Sequence, residues 1–296
     1  DRLVLAALDR QVYLLAYIRQ QQERVGLVAS RTQLRLLSEQ LAGDRISVEE
    51  FRAKCQPILQ DAQAGTQGFL NISLATPRGD IAASTDVTEL GRDCSEDVDF
   101  VAGQHERHLG LPRKSTEGHI ATLSAPATSS DGGLAGVVLV TLDLNPLVQF
   151  LSDRTVLDET CDVLLGVRVG DRIRYLFPPR GDVVTRDVPV SDVPAMSAAI
   201  EGEKGLRHLR DYLGTKVVAA FRPVGYHDWG LVVKQAESQA YAPLTPLRNV
   251  LIGLEAAMLV VALGLAYLLA KRFTAPIHEL AEKATAVAAG DLSVRV

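Results

Sequence analysis

The stretch FLNISLATPRGDIAAS, Phe69 to Ser84, decides the fold class. Its two ends, Phe69 to Ala75 and Ile81 to Ser84, are short apolar-rich runs, and Pro77-Arg78-Gly79-Asp80 between them carries the residues of a tight turn. The pattern predicts a β-hairpin. Upstream the period is different: residues 1–42 place Leu8, Val12 and Leu15, then Leu34, Leu37 and Leu41, at helical spacing without a proline. One long helix is expected there, ended by Gly43. Ser47 with Glu50 after it is a capping-box pattern that opens a second helix, running to about Ala64 before Gly65 and Gly68.

Downstream of the hairpin, Asp97 to His108 reads as a short helix ended by Gly110. His119 to Ala127 and Ala135 to Leu144 read as strands around Asp131-Gly132-Gly133. A short helix near Leu147 to Ser152 separates this series from a second of the same order. Val163 to Val169 and Arg172 to Phe177 flank Gly170-Asp171, Val193 to Glu201 is a short helix, and Leu206 to Tyr212, Val217 to Val224 and Trp229 to Lys234 form a meander. Hairpin, helix and antiparallel strands therefore occur twice, a repeat of pattern rather than of identity.

The end of the chain is of another kind. Val250 to Ala270 is an apolar run long enough to make a helix of roughly 30 Å, the thickness of a bilayer core. Lys271 and Arg272 follow it and mark that side as cytoplasmic, which places the preceding residues outside the cell. Export of that part requires a signal or a first membrane helix ahead of Asp1. The 296 residues, 47% hydrophobic and 23% charged, are globular in composition. A net charge of −5 without a long basic run argues against a nucleic-acid partner. Cys55, Cys94 and Cys161 are far apart with no Cys-x-x-Cys pair, which speaks against zinc or haem and favours buried free thiols over a single disulfide.

Three strings carry a resemblance. LATPRGDIAASTDVTELGRD, with Gly79, Ser84, Thr85, Asp86, Gly91 and Asp93, resembles the hairpin of a Cache module. YLGTKVVAAFRPVGYHDWGLVVKQAESQAYAPLTPLRN, with Tyr212, Gly214, Pro223, Trp229, Gly230, Ala240 and Pro243, resembles the membrane-proximal Cache ending. KRFTAPIHELAEKATAVAAGDLSVRV, with Arg272, Pro276, Ile277, Leu280, Gly290, Asp291 and Leu292, is similar to the first helix of a HAMP domain. The chain thus resembles the double Cache sensors of bacterial transmembrane receptors. The resemblance implies an α+β fold, with a long N-terminal helix, two PAS-like antiparallel sheet modules, a transmembrane helix and a HAMP helix. The expected divisions are 1–66 for the N-terminal helices, 67–152 for the distal module, 153–246 for the proximal module, 247–270 for the span and 271–296 for a partial HAMP domain.

The resemblance also implies a homodimeric, membrane-bound receptor with a small-molecule ligand in the distal module. A histidine kinase is the first expectation for the output domain, then a PP2C-type phosphatase, a diguanylate cyclase or a chemotaxis domain. The competing reading is an outer module that only dimerises or docks a periplasmic protein. The ligand pocket is expected between the short helix, the loop after it and the next strand, at Phe100, His108, Arg113, Lys114 and Ser124. His105, Arg107, His108, Arg113, Lys114 and His119 outnumber Glu106 and Glu117 there, a donor excess suited to an organic acid, with Arg113 able to take a carboxylate in two bonds. A solvated helix end and loop would show the same cluster. Amino-acid-binding members carry Arg-x-Trp-Tyr and a downstream Asp, whereas this module has no Trp and has Thr141 near the acid's place, which argues against amino-acid specificity.

The remaining candidates read as follows. His105 and His108 stand three residues apart with no third ligand in reach, so no metal and no cofactor are expected. Ser84, Ser124 and the histidines form no triad pattern, and no catalytic residue is assigned. Trp229 is expected in the core. Glu255 lies about 8 Å into the span, where it can reach the interface, and relays a signal only if it meets a polar partner. Ile277, Leu280, Ala284 and Val287 are spaced by threes and fours, a seam that wants a partner helix, and with Pro276 they are the expected relay.

Overall fold

The computed structural model describes residues 2–116, 118–152, 161–177, 187–211, 214–241 and 244–288, with the backbone alone at 244, 245, 247 and 273–288. Glu117, Tyr212, Pro243, Gly290, Asp291 and Leu292 lie outside the described residues. The chain forms two units, Asp1–Glu237 and Ser238–Val296.

The first unit begins with α1 (Arg2–Ala29), α2 (Thr32–Ala42) and α3 (Val48–Ala64). The expected single helix is broken at Ser30-Arg31. Ala7, Leu14, Ile18, Val25 and Ala29 form the buried stripe of α1, and a continued helix would next bury Leu36, which is instead exposed while Leu34 is fully buried. That slip in phase needs a turn. Arg31 fastens the turned helix by donating from Nη1 to the Ile58 carbonyl at 3.3 Å and to Asp61 Oδ2 at 3.1 Å, both in α3. The Ser47 hydroxyl accepts from the Glu50 N–H at 3.2 Å, the cap expected at the start of α3.

The distal sheet follows: β1 (Phe69–Ala75), β2 (Ile81–Ser84), then α4 (Val98–Gly103), β3 (His108–Leu109), β4 (Arg113–Ser115), β5 (Gly118–Thr128) and β6 (Leu134–Asp143). The order is β2-β1-β6-β5-β3, with β4 also on β5, and the pairs are antiparallel. The helix expected to reach His108 stops at Gly103. His108 and Leu109 are drawn into a strand on β5, where the Gly110 N–H donates to the Thr122 carbonyl at 2.8 Å.

After α5 (Asn145–Ser152) comes the proximal sheet: β7 (Asp162–Val169), β8 (Arg172–Tyr175), β9 (Val188–Pro189), then α6 (Pro194–Ile200), β10 (Gly205–Arg210), β11 (Lys216–Pro223) and β12 (Trp229–Ala236). Its order, β10-β11-β12-β7-β8-β9, repeats the distal one with β7 and β8 in the place of β1 and β2. The repeat seen in the sequence is therefore a repeat of topology.

Each sheet is covered on both faces. On one side a single core runs through both, joining Leu14, Val25, Leu34 and Phe51 of the helices to Leu123 and Val140 of the distal sheet and to Leu165, Trp229 and Leu231 of the proximal one. On the other side each sheet has its own short helix. α4 seats Phe100 against Ala75, Ile81, Val137 and Leu139, and α6 seats Met196 and Ala199 against Leu164, Phe221 and Val232. Full burial of one such side chain contributes about 1.5–3 kcal/mol. α1 spans both sheets, its Ala7 packing on Ala220 and Val233 and its C-terminal half on the distal module. The three cysteines are buried, and burial pushes Cys55 up to about 12 and Cys94 up to about 11, so those two thiols are inert near neutral pH.

The second unit holds the end of α7 (Glu237–Ala240) and α8 (Leu244–Ala288). α8 contains Arg248–Arg272, the stretch long and apolar enough to cross a membrane among the described residues. It continues as one helix through Lys271 and Pro276.

Candidate ligand-binding site

The distal module's α4-facing surface is built by alternation along β5. Ala121, Leu123 and Ala125 enter the shared core, so Ile120, Thr122 and Ser124 face α4. Register carries this face across the sheet: Ser84, Ser73, Leu139, Ser124 and His108 make one row, and Asn71, Thr141 and Thr122 the next. A sheet face under a helix is normally apolar. Here it is a floor of hydroxyls and amides.

The two ends of that floor differ. At the β1–β2 end every polar group is engaged: the Ser73 and Ser84 hydroxyls are 2.9 Å apart, and Asn71 Oδ1 accepts from Ser84 Oγ at 3.1 Å, Thr85 Oγ1 at 2.7 Å and the Asp86 N–H at 3.2 Å. The Ser-Thr-Asp string thus closes the hairpin. At the β5–β3 end Ser124 is fully buried, and its Oγ and the buried Nδ1 of His108 have no partner among the described residues. His108 Nε2 stands 3.4 Å from Asp99 Oδ1 of α4, the carboxylate being about a quarter exposed. A buried polar atom left unpaired costs about 1–3 kcal/mol, so side-by-side orphans mark a place where a further polar group belongs.

The helix lies close over this floor. A Cβ on Gly103 would fall 2.5 Å from Ser124 Cβ and 2.6 Å from its Oγ, so only glycine lets α4 approach so near. Phe100 is buried as the helix's anchor. Arg113 stands exposed on β4, opposite Ile120, with Nη1 donating to Thr122 Oγ1 at 2.9 Å. It therefore shares the face of Ser124 and His108. Lys114, next in the strand, pairs with His119 and takes the opposite face. There His119 meets the Phe177 ring edge-on at 5.6 Å, and burial, then Lys114, holds its imidazole below the ordinary histidine value. Of the five expected residues, Phe100, His108, Arg113 and Ser124 share one face.

Asp99 and Thr122 belong to the same place and escaped the sequence reading. The polar-apolar alternation of HIATLS, 119–124, holds the signal for Thr122, whereas Asp99 is marked by nothing local. The turn between β11 and β12, expected from Tyr226-His227-Asp228, also reaches this place, a contact that local sequence does not mark. The Tyr226 hydroxyl accepts from the Leu109 N–H at 2.7 Å and donates to the Leu109 carbonyl at 3.0 Å, so the proximal module grips β3 beside His108. His227, with φ of 45°, sets its ring 5.3 Å from that of His108.

No protein-family model and no curated protein matches the chain. Solved structures do. The ligand-binding domain of the Pseudomonas aeruginosa PAO1 amino acid chemoreceptor PctB, in complex with L-Arg, is 21% identical with a TM-score of 0.57, over 87% of this chain and 96% of that one. That of the Pseudomonas fluorescens chemoreceptor CtaA, in complex with L-alanine, is 15% identical with a TM-score of 0.53, over 80% and 96%. The fold is the one these ligand-binding domains share. An extracellular ligand binding receptor from Desulfohalobium retbaense DSM5692 shares it at 18% identity and a TM-score of 0.56, this chain spanning 39% of that chain's length and 78% of its own being covered. A shared fold leaves the ligand to be argued from the site.

The proximal module carries an opening beneath its own short helix. Between α6 and its sheet lies a cavity of about 30 Å³, lined by Leu164, Tyr175, Met196, Leu209 and Val232, with Lys234 at its edge. That is room for one or two waters. Lys234 Nζ donates to Asp211 Oδ2 at 2.7 Å with both side chains nearly buried, an ion pair whose breaking would be costly. Among the relay candidates, Glu255 is exposed on α8, and Pro276, Ile277, Leu280, Ala284 and Val287 lie in its described backbone, their side chains outside the described set.

Proposed function

We propose that this chain is the extracytoplasmic input region of a transmembrane receptor, taking a small molecule on the distal Cache floor and passing the change through the proximal module to α8. The unpaired Ser124 Oγ and His108 Nδ1 beneath α4 carry this reading. The ligand is a small organic acid: Ser124 and His108 meet its polar body, and Arg113, held at the edge by Thr122, takes its carboxylate. A ligand shifts such a receptor only through its different affinity for two states, and α4, which covers the floor, is the element whose position it would bias.

The chain works as a homodimer. Leu5, Leu8 and Val12 lie on an exposed face of α1 at spacings of three and four, away from both sheets, which supports a helix pair between copies. Residues 1–246 stand outside the inner membrane, α8 crosses it, and 271–296 begin a HAMP domain whose seam of Ile277, Leu280, Ala284 and Val287 relays the displacement to a cytoplasmic output domain, a histidine kinase in the first instance. Glu255 and Pro276 sit on that path. The chain itself is a sensor and not an enzyme, with no metal, cofactor or nucleic acid in its work. The exposed Val87, Val98, Val101 and Leu111 around the distal site favour a second reading, docking of a periplasmic protein.

A thermal-shift screen of residues 1–245 against organic acids, amino acids and amines tests the proposal. A true ligand at a hundredfold excess over its Kd stabilises by about 2.7 kcal/mol. Arg113→Ala abolishes the shift if the carboxylate reading holds. Hits that survive it leave the sensor and remove the acid.

A further inference from the structure

The contact between the two Cache modules carries chemistry that the ligand reading does not use. Tyr226 holds both polar groups of the Leu109 peptide, at 2.7 and 3.0 Å, and its ring meets Trp229 edge-on at 5.4 Å, so the grip is anchored in the shared core. His227 follows in a left-handed backbone conformation that side chains adopt rarely, packed on Tyr226 at 4.2 Å and on His108 at 5.3 Å. An imidazole held there from one module therefore faces an imidazole of the strand that lines the other module's ligand floor.

Three carboxylates act near the pair. Asp99 of α4 is 3.4 Å from His108 Nε2. Glu106, in the turn after α4, and Asp228, beside His227 in its own turn, act on His227. Arg107 turns its guanidinium onto Gly26 of α1, and Gln22 of α1 donates to the Arg107 carbonyl at 2.8 Å, so α1 offers the pair no charge through these contacts. Burial and the neighbouring His108 hold His227 below the ordinary histidine value.

We infer that the His108–His227 contact is an acid-sensitive link, through which external proton concentration sets how firmly the proximal module holds strand β3. With both rings neutral they pack together and Tyr226 keeps its hold on Leu109. Acid puts positive charge into this contact, and like charges on two rings so close repel. The rings part, and the Tyr226 bonds to Leu109 loosen. This regulates the proposed ligand site, and so rests on that reading for its consequence, while the link can be measured without any ligand.

The test is hydrogen exchange of the whole chain in nanodiscs, read at the Leu109 amide at about pH 7.5 and pH 5.5 and corrected for the intrinsic rate, which divides out the ordinary pH effect. The expected result is a loss of Leu109 protection of about tenfold or more at the lower pH, absent in His227→Asn and in His108→Gln. His227→Asn suits the left-handed position, and His108→Gln supplies the second variant should one of them misfold. Equal protection at both values in the unaltered chain, or a loss that persists in both variants, overturns the inference. Neither outcome bears on ligand binding, which a thermal-shift screen at fixed pH decides separately.

Discussion

His108 and Ser124 stand directly opposite one another across the β3–β5 ladder, and each carries a buried polar atom with no partner among the described residues. One orphan can be an accident of packing. A facing pair of them, under a helix brought close by Gly103 and beside the Asp99 carboxylate, is a place kept polar at a cost in stability.

Ser124→Ala removes one orphan and leaves the packing nearly unchanged. The expected outcome is a ligand-free domain more stable by about 1–3 kcal/mol in urea unfolding, with ligand affinity reduced at least tenfold. A variant that is less stable would mean that the hydroxyl is satisfied in solution.

Gly79 and Gly91 both adopt positive φ, 105° and 75°, but their surroundings differ. A Cβ at Gly79 would fall 2.6 Å from the Ser95 backbone, whereas Gly91 has open space. Gly91→Ala should therefore cost only the backbone strain, about 1–2 kcal/mol, and Gly79→Ala distinctly more, as backbone must shift. Chemical denaturation of the two variants side by side checks the order.

The stability of the outer unit should fall on mild acidification. His119 and His227 are held below their ordinary value, mainly by burial and then by Lys114 and His108 respectively, so the folded state binds fewer protons than the unfolded chain. Their contribution is complete above about pH 6.5 and is lost as pH falls through that value toward their folded pKa. Asp86, Asp93, Asp131 and Asp187 are held low by hydrogen bonds, and their contribution goes only below about pH 4. Melting temperatures between about pH 7.5 and pH 5.5 should thus decline, and the double variant His119→Asn, His227→Asn should flatten that limb alone.

Topology follows from the apolar span and its Lys271-Arg272 flank. A cysteine placed at Asp171, on the exposed turn between β7 and β8, should react with an impermeant thiol reagent on intact cells, and one at Glu282 only after lysis. The reverse pattern would remove the sensor reading with the orientation.

What could be read in advance divides by range. Hairpins, meander strands and the Ser47 cap depend on neighbours in sequence, and Pro77, Gly79 and Gly170 mark them plainly. The break at Ser30-Arg31 was visible only as a slip of phase between Ala29 and Leu34, which a count of helical spacings on either side passes over. His108 shows the limit at the site itself. Local pattern extends the helix over it, while the Tyr226 hydroxyl, 117 residues away at Leu109, and the Thr122 carbonyl fix it in a strand. Which face Lys114 takes depended in turn on the short strand β4, set by its pairing with β5 rather than by its own residues.

The measurement that bears most directly on the central claim is the nitrogen spectrum of the imidazole rings in the outer unit, recorded with and without a stabilising small molecule. The rings of His108 and of His208, the latter bonded to Glu237 at 2.9 Å in the proximal module, are resolved separately by substitution. A ligand on the distal floor should shift the His108 Nδ1 signal, by giving that atom its missing partner, and leave His208 in place. A stabilising ligand that moves His208 and leaves both nitrogens of His108 untouched would contradict the account.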